Sequence, residues 1–195
     1  MKKIILFLLV FSSFTALQAQ QITQEDYKSI IPFVQSEDWK SAFKMSSKLL
    51  EKAQNDTSEF KSMVSYLNIY AAAGMVSIGK MNIKKLSEIT MKYKGQAIFM
   101  AGHIASKDGK NTLNKTFLSV LEGKSQGFTI VTDKRAKILL LEDIAFAKDV
   151  DPSFYTGSYV RCGGLLKDIE VNTDKNNTDW ILKLTVSNAF IRRTK

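Results

Sequence analysis

The hydrophobic rhythm of the chain changes near residue 95. Upstream, apolar residues return every three or four positions, as on one face of a helix; downstream they alternate, as along a half-buried strand. Tyr27, Ile30, Ile31 and Val34 outline a first helix, bent or ended by Pro32, which has no backbone N–H to donate. Trp39, Ala42, Phe43, Leu49, Leu50 and Ala53 outline a second. Ser36 is placed to cap it, with Glu37 and Asp38 in the first turn, where carboxylates complement the positive end of the helix dipole. Residues 55–58 supply a loop and a new cap. Phe60, Met63, Val64, Leu67, Ala71, Gly74, Met75 and Ile78 mark a third helix stopped at Gly79, and Ile83, Leu86, Thr90 and Tyr93 a shorter fourth stopped at Gly95.

Beyond Gly95, Ile98, Met100 and Ile104 are set against Ala97, Phe99 and Ala101, and Asp108-Gly109 supplies turn chemistry. Phe117, Leu118, Val120 and Leu121 form a second strand; Phe128, Ile130 and Val131 form a third, ended by Asp133-Lys134. Residues 137–147 suit either a buried strand or a helix. The last hairpin is the clearest: a strand from Tyr159 to Val171, a polar loop at 173–177, and a return strand. There Trp180, Leu182, Leu184 and Val186 alternate with Lys183, Thr185 and Ser187.

Residues 95–104 align without gaps on residues 157–166. Both read Gly-x-x-(Ile/Val)-x-x-x-Gly-x-(Ile/Leu), and both lead into a polar loop and a second apolar strand. An internal glycine lets a long strand bend enough to serve both sides of a barrel. This pair of glycine-framed strands resembles the first and fourth strands of the OB-fold, and residues 95–193 resemble the anticodon-binding-like OB domains of exported bacterial proteins. The resemblance implies a five-stranded barrel, with the apolar segment at 136–147 in excess of that pattern. The helical part faintly resembles tetratricopeptide hairpins, through Trp39, Ala42-Phe43 and the run from Ala71 to Gly74, although no 34-residue repeat is visible. The expected fold is therefore α+β: an N-terminal layer of three to four helices over residues 20–95, then a small OB-like β-barrel over residues 96–195.

The first 19 residues carry a different message. Met1-Lys2-Lys3 precedes eight unbroken apolar residues and a small-residue end at Ala16 and Ala19, the three parts of a secretory signal peptide. Eight apolar residues fall well short of the roughly 20 that span a bilayer. Cleavage after Ala19 is expected, giving a periplasmic or secreted product of the Gram-negative type, with no cysteine after the cut to carry a lipid and no transmembrane segment in the mature chain. Without residues 1–19 the chain has 26 basic and 19 acidic residues, a net charge of +7. The charges are mixed in both halves, so nucleic acid is not the expected partner. Cys162 is the one cysteine, so no intramolecular disulfide forms and the core must hold the fold.

No catalytic residue, metal site or cofactor is expected. His103, the sole histidine, lacks neighbours at ligand spacing and reads as an outward strand residue. Cys162 shares the apolar phase of Val160 and Leu166 and reads as a small hydrophobe. Gly163-Gly164 lacks the helix start and Lys-Ser/Thr of a phosphate loop. The pairs Asp149/Asp151 and Glu142/Asp143 lack the alternating oxygens of a calcium loop and read as solvated charges. The OB resemblance implies a ligand face of aromatic and basic groups, for which Phe99, Tyr155, Tyr159 and Arg161 are the candidates. The expected function is a non-enzymatic envelope binding module whose partner is an envelope protein, a peptide or a glycan. The alternatives are an adaptor acting through its helices and a hydrolase with an unfamiliar site.

Overall fold

The computed structural model describes residues 21–109, 113–174 and 179–194, and the expected leader lies outside them. Among these residues four helices come first: α1 (Gln24–Ser36), α2 (Trp39–Lys52), α3 (Glu59–Ser77) and α4 (Ile83–Thr90), the last followed by a 3-10 turn at Met91–Tyr93. Six strands follow: β1 (Ala97–Ser106), β2 (Lys115–Leu121), β3 (Lys124–Thr132), β4 (Ile138–Phe146), β5 (Tyr159–Val171) and β6 (Trp180–Arg193). A single helical turn, α5 (Pro152–Tyr155), lies between β4 and β5. No helix among the described residues is long and apolar enough to cross a membrane.

The helices start and stop for local reasons. Thr23 and Asp26 form a reciprocal capping box at the head of α1. The helix runs through Pro32 rather than ending there, and stops at Glu37, which adopts the left-handed conformation (φ 60°). That hinge displaces the expected cap. Ser36 is the last residue of α1, its hydroxyl donating to the Pro32 carbonyl at 2.8 Å, and α2 is capped by Asp38, which accepts from the Ser41 N–H at 3.1 Å. Helix α3 is buried on every side from Met63 to Asn68, as a helix at the centre of a core must be. At Gly74 it lies so close to Trp39 that a Cβ there would sit 2.2 Å from the indole.

The sheet closes on itself in the order β1-β2-β3-β4-β6-β5, with β5 returning to β1. The two echoed segments turn out to be partners: β1 and β5 pair antiparallel, Phe99 opposite Gly163 and Gly102 opposite Arg161. Asp108-Gly109 does not close a tight hairpin, because β1 and β2 run parallel, Ile104 beside Lys115. The tight hairpin joins β2 to β3 through Glu122-Gly123, whose φ values of 49° and 74° suit a two-residue turn. The ambiguous 137–147 segment is a strand, β4, parallel to β6.

A register shift between Phe99 and Gly102 reverses the phase of β1. Before it, Ile98 and Met100 are buried; after it, Ala105 is buried and Ile104 is 41% exposed. His103 therefore turns inward, against the outward position expected for it. Its Nδ1 lies 3.2 Å from the Asn114 carbonyl and its Nε2 is buried with no partner. Burial pushes its pKa down to about 4, so the ring is neutral, and because a carbonyl only accepts, Nδ1 carries the proton.

One cluster of buried side chains runs through helices and sheet together, from Trp39, Tyr66 and Leu86 to Met100, Leu140 and Leu184. A smaller one, of Ala105, Leu118, Val150 and Val160, fills the sheet where β1 ends and β5 begins.

Candidate functional site

The four residues expected to form a ligand face divide into two groups. Phe99 is 4% exposed; its ring packs on Phe190 (5.4 Å between centroids) beneath the Arg192 guanidinium, 5.5 Å from the ring centre. Arg192 in turn donates to Glu59, the first residue of α3, at 2.5 Å. Arg161 donates to the Tyr27 hydroxyl of α1 at 2.9 Å, lies over that ring, and contacts the Met63 sulfur of α3. Arg161 fastens α1 and α3 to the sheet, and Phe99 is covered by Phe190 and Arg192 of β6, so neither is open to a ligand. Tyr159 shares the outer face of β5 with Arg161 but is left exposed, and Tyr155 sits on α5. Tyr159 is 47% exposed, its ring lying over Gly102, and Tyr155 meets Phe154 edge-on, with Arg193 across both rings.

The interior holds an acid that hydropathy did not flag. Alternation along β4 sends Glu142 inward and Asp143 outward, so Glu142 is not the solvated charge expected of it. It is 1% exposed and accepts from the Tyr66 hydroxyl of α3 at 2.7 Å. Loss of water pushes its carboxyl up to about 7, although hydrogen bonds from Tyr66 and Thr129 pull the other way. Cys162 is buried as expected, its thiol held protonated by burial and then by the Glu142 charge. With Tyr66 fully buried and Glu142 nearly so, no substrate in solution reaches this pair. Asp151 caps α5 through the Ser153 N–H at 2.8 Å. Among the described residues no three His, Cys, Asp or Glu side chains are grouped to hold a metal.

On the other side the sheet surface forms a cleft. Phe117 of β2, Phe128 of β3, Asp143 of β4 and Thr185 of β6 stand in one cross-strand row pointing outward. With Ser119 and Gln126 they line an open cleft of about 480 Å³. Asp143 is the one charged residue in its lining, and it is neutralised by Lys183 at 2.8 Å. The cleft thus offers two neighbouring aromatic rings, hydroxyl and amide groups on either side, and no net charge. Sequence reasoning assigned Phe117 and Phe128 to strands but not to a site. The available signal was that each shares its phase with a polar residue, Ser119 and Gln126, rather than with the buried Leu118 and Thr129.

Comparison with protein-family models, with curated proteins and with solved structures gives no match to this chain.

Proposed function

We propose that the closed sheet is an OB-like barrel with one inserted strand, and that the protein is an exported, non-enzymatic binding module of the cell envelope. In this reading it holds an extended glycan or peptide across the outer face of β2, β3 and β4. Supporting the barrel reading are the antiparallel β1–β5 and β5–β6 pairs, the parallel β4–β6 pair, and a helical turn between β4 and β5. Inserting β2 between β1 and β3 accounts for the sixth strand.

The observation that carries the ligand reading is the Phe117–Phe128 pair on an open face. Aromatic rings stack on the apolar faces of sugars or on peptide side chains, and the flanking Ser119, Gln126 and Thr185 supply donors and acceptors. The paired Asp143 and Lys183 leave no cationic track for a phosphate backbone, which disfavours nucleic acid. The one carboxylate of the lining, Asp143, is paired with Lys183 rather than with the hydroxyl of Ser119 or Thr185, which favours binding over hydrolysis.

Glycan arrays and pull-downs from envelope extract test this. The unaltered protein is expected to retain a ligand that the Phe117→Ala, Phe128→Ala double variant loses by tenfold or more. Equal retention by both proteins excludes this face.

A further inference from the structure

The helices carry a second cavity, unconnected with the sheet face. It is a trough of about 570 Å³ between α2, α3 and α4, larger than the sheet cleft. Phe43 and Leu50 of α2 form one wall; Met81 and Ile89, before and on α4, form the other. All four side chains are only partly buried, so apolar surface remains open to the trough. From Phe43 to Glu51 it runs along about 12 Å of helix, the length of about four residues of extended chain.

The floor is polar and already ordered. Asn68, buried on α3, donates to the Ser46 and Ser47 hydroxyls at 2.8 and 2.9 Å, and its oxygen accepts from the Tyr93 hydroxyl at 2.8 Å. The rim is cationic: Lys61, Lys85 and Lys92 face Glu51 as its only acid. Lys61 is tied to the Gln54 carbonyl at 2.7 Å, and Lys85 reaches Glu88 only at 3.4 Å across an exposed gap, an arrangement that holds a lysine weakly.

We infer that this trough binds an acidic peptide segment, with one or two aliphatic or aromatic side chains lodged between the walls and carboxylates at the lysine rim. Three features select that occupant. The apolar walls give anchoring area. The excess of lysines over acids complements negative charge and speeds encounter. Among the lining groups the Ser47 hydroxyl, which accepts from Asn68, keeps its own proton for a peptide carbonyl, a contact wasted on a bare hydrocarbon chain.

The probe is a fluorescent hexapeptide of alternating glutamate and leucine, titrated by anisotropy into the purified protein. Beside it run the glutamine–leucine and glutamate–serine versions and vesicles of phosphatidylglycerol. The glutamate–leucine peptide is expected to bind at least tenfold more tightly than either control peptide, and to weaken as salt rises. The Lys85→Glu, Lys92→Glu variant, altered at two exposed positions, is expected to lose that binding at unchanged Tm. Leu50→Ser provides an independent loss through the wall. Equal binding of the glutamine–leucine peptide overturns the charge argument, and equal binding of the glutamate–serine peptide overturns the anchor. Vesicle binding that depends on the same lysines, without peptide binding, assigns the trough to an anionic membrane surface and ends the proposal. The Phe117→Ala, Phe128→Ala variant is expected to bind the peptide normally, so this result stands apart from the fate of the sheet face.

Discussion

The two sides of the closed sheet carry similar chemistry and use it differently. On the β1-β5-β6 side, Phe99, Phe190, Arg161 and Arg192 gather aromatic rings and guanidinium groups, the composition of a ligand face. Tyr27 and Met63 close over Arg161, and Glu59 pairs with Arg192, so the helices seam that side around Phe99 and Arg161 while Phe190 stays 40% exposed. On the β2-β3-β4 side, Phe117 and Phe128 have no helix above them in the cleft lining and face solvent. Residue type thus sets what a face can do. The path of α1 and α3 sets whether it is free to do it.

Truncating one aromatic from the sealed side gives the sharpest test of that contrast. Phe99→Ala removes a ring that is 4% exposed and leaves a cavity between Phe190 and Gly163, an expected loss of about 3–4 kcal/mol. Urea unfolding measures it. A loss below about 1 kcal/mol, typical of surface positions, would mean that Phe99 is not part of a seam.

The next test concerns how the helical cover is fastened. Tyr66 reaches from α3 to Glu142 inside the sheet, and the Glu142 carboxyl titrates near 7 instead of its usual 4.5. An acid whose folded pKa is raised contributes stability that is complete below the unfolded value and is lost as pH rises through the folded one. The window is therefore 4.5 to 7, and the shift corresponds to about 3 kcal/mol. His103 works against it: burial lowers its pKa from 6.5 to about 4, so its contribution is lost as pH falls through that range. Asp56 and Asp133 have lowered values: burial alone would raise them, but hydrogen bonds outweigh it, so they act below the usual 3.8. The clean readout is the difference between the unaltered protein and Glu142→Gln, which keeps an acceptor for Tyr66 and removes one titration. Between pH 4.5 and 8 that difference is expected to move by about 3 kcal/mol in favour of the variant. A constant difference across the range would mean that the buried carboxyl does not titrate there.

Much of the fold was legible because its signals are local. The helix stripes, the stop at Gly79 and the final hairpin each arise from residues within a turn or two of one another. Glu37 and Gly102 show where that fails. Glu37 takes a left-handed conformation that its residue type does not announce, and this moved the start of α2 from Ser36 to Asp38. The shift near Gly102 answers to β5, some 60 residues away, and it turned His103 inward and Ile104 outward. Glu142 read as polar because the hydroxyl that receives it comes from α3. The site was harder still to see. Phe99 and Phe128 look alike in sequence, and what separates them is that Phe190 and Arg192, some 90 residues away on β6, cover Phe99.

The smallest effect on stability is expected where the largest effect on binding is proposed. Phe117 and Phe128 are only partly buried and stand opposite each other across β2 and β3. Replacing either by alanine removes one cross-strand neighbour and some outer-face area, together worth about 1 kcal/mol or less. Phe128→Ala should thus unfold at nearly the urea concentration of the unaltered protein, while Phe99→Ala unfolds much earlier. Chemical-shift mapping of backbone amides adds a spatial check, since changes in Phe128→Ala should stay on β2, β3 and β4 and leave α1 and α3 untouched. If Phe128→Ala instead costs as much as Phe99→Ala, both sides of the sheet are structural, and coverage by the helices is not what distinguishes them.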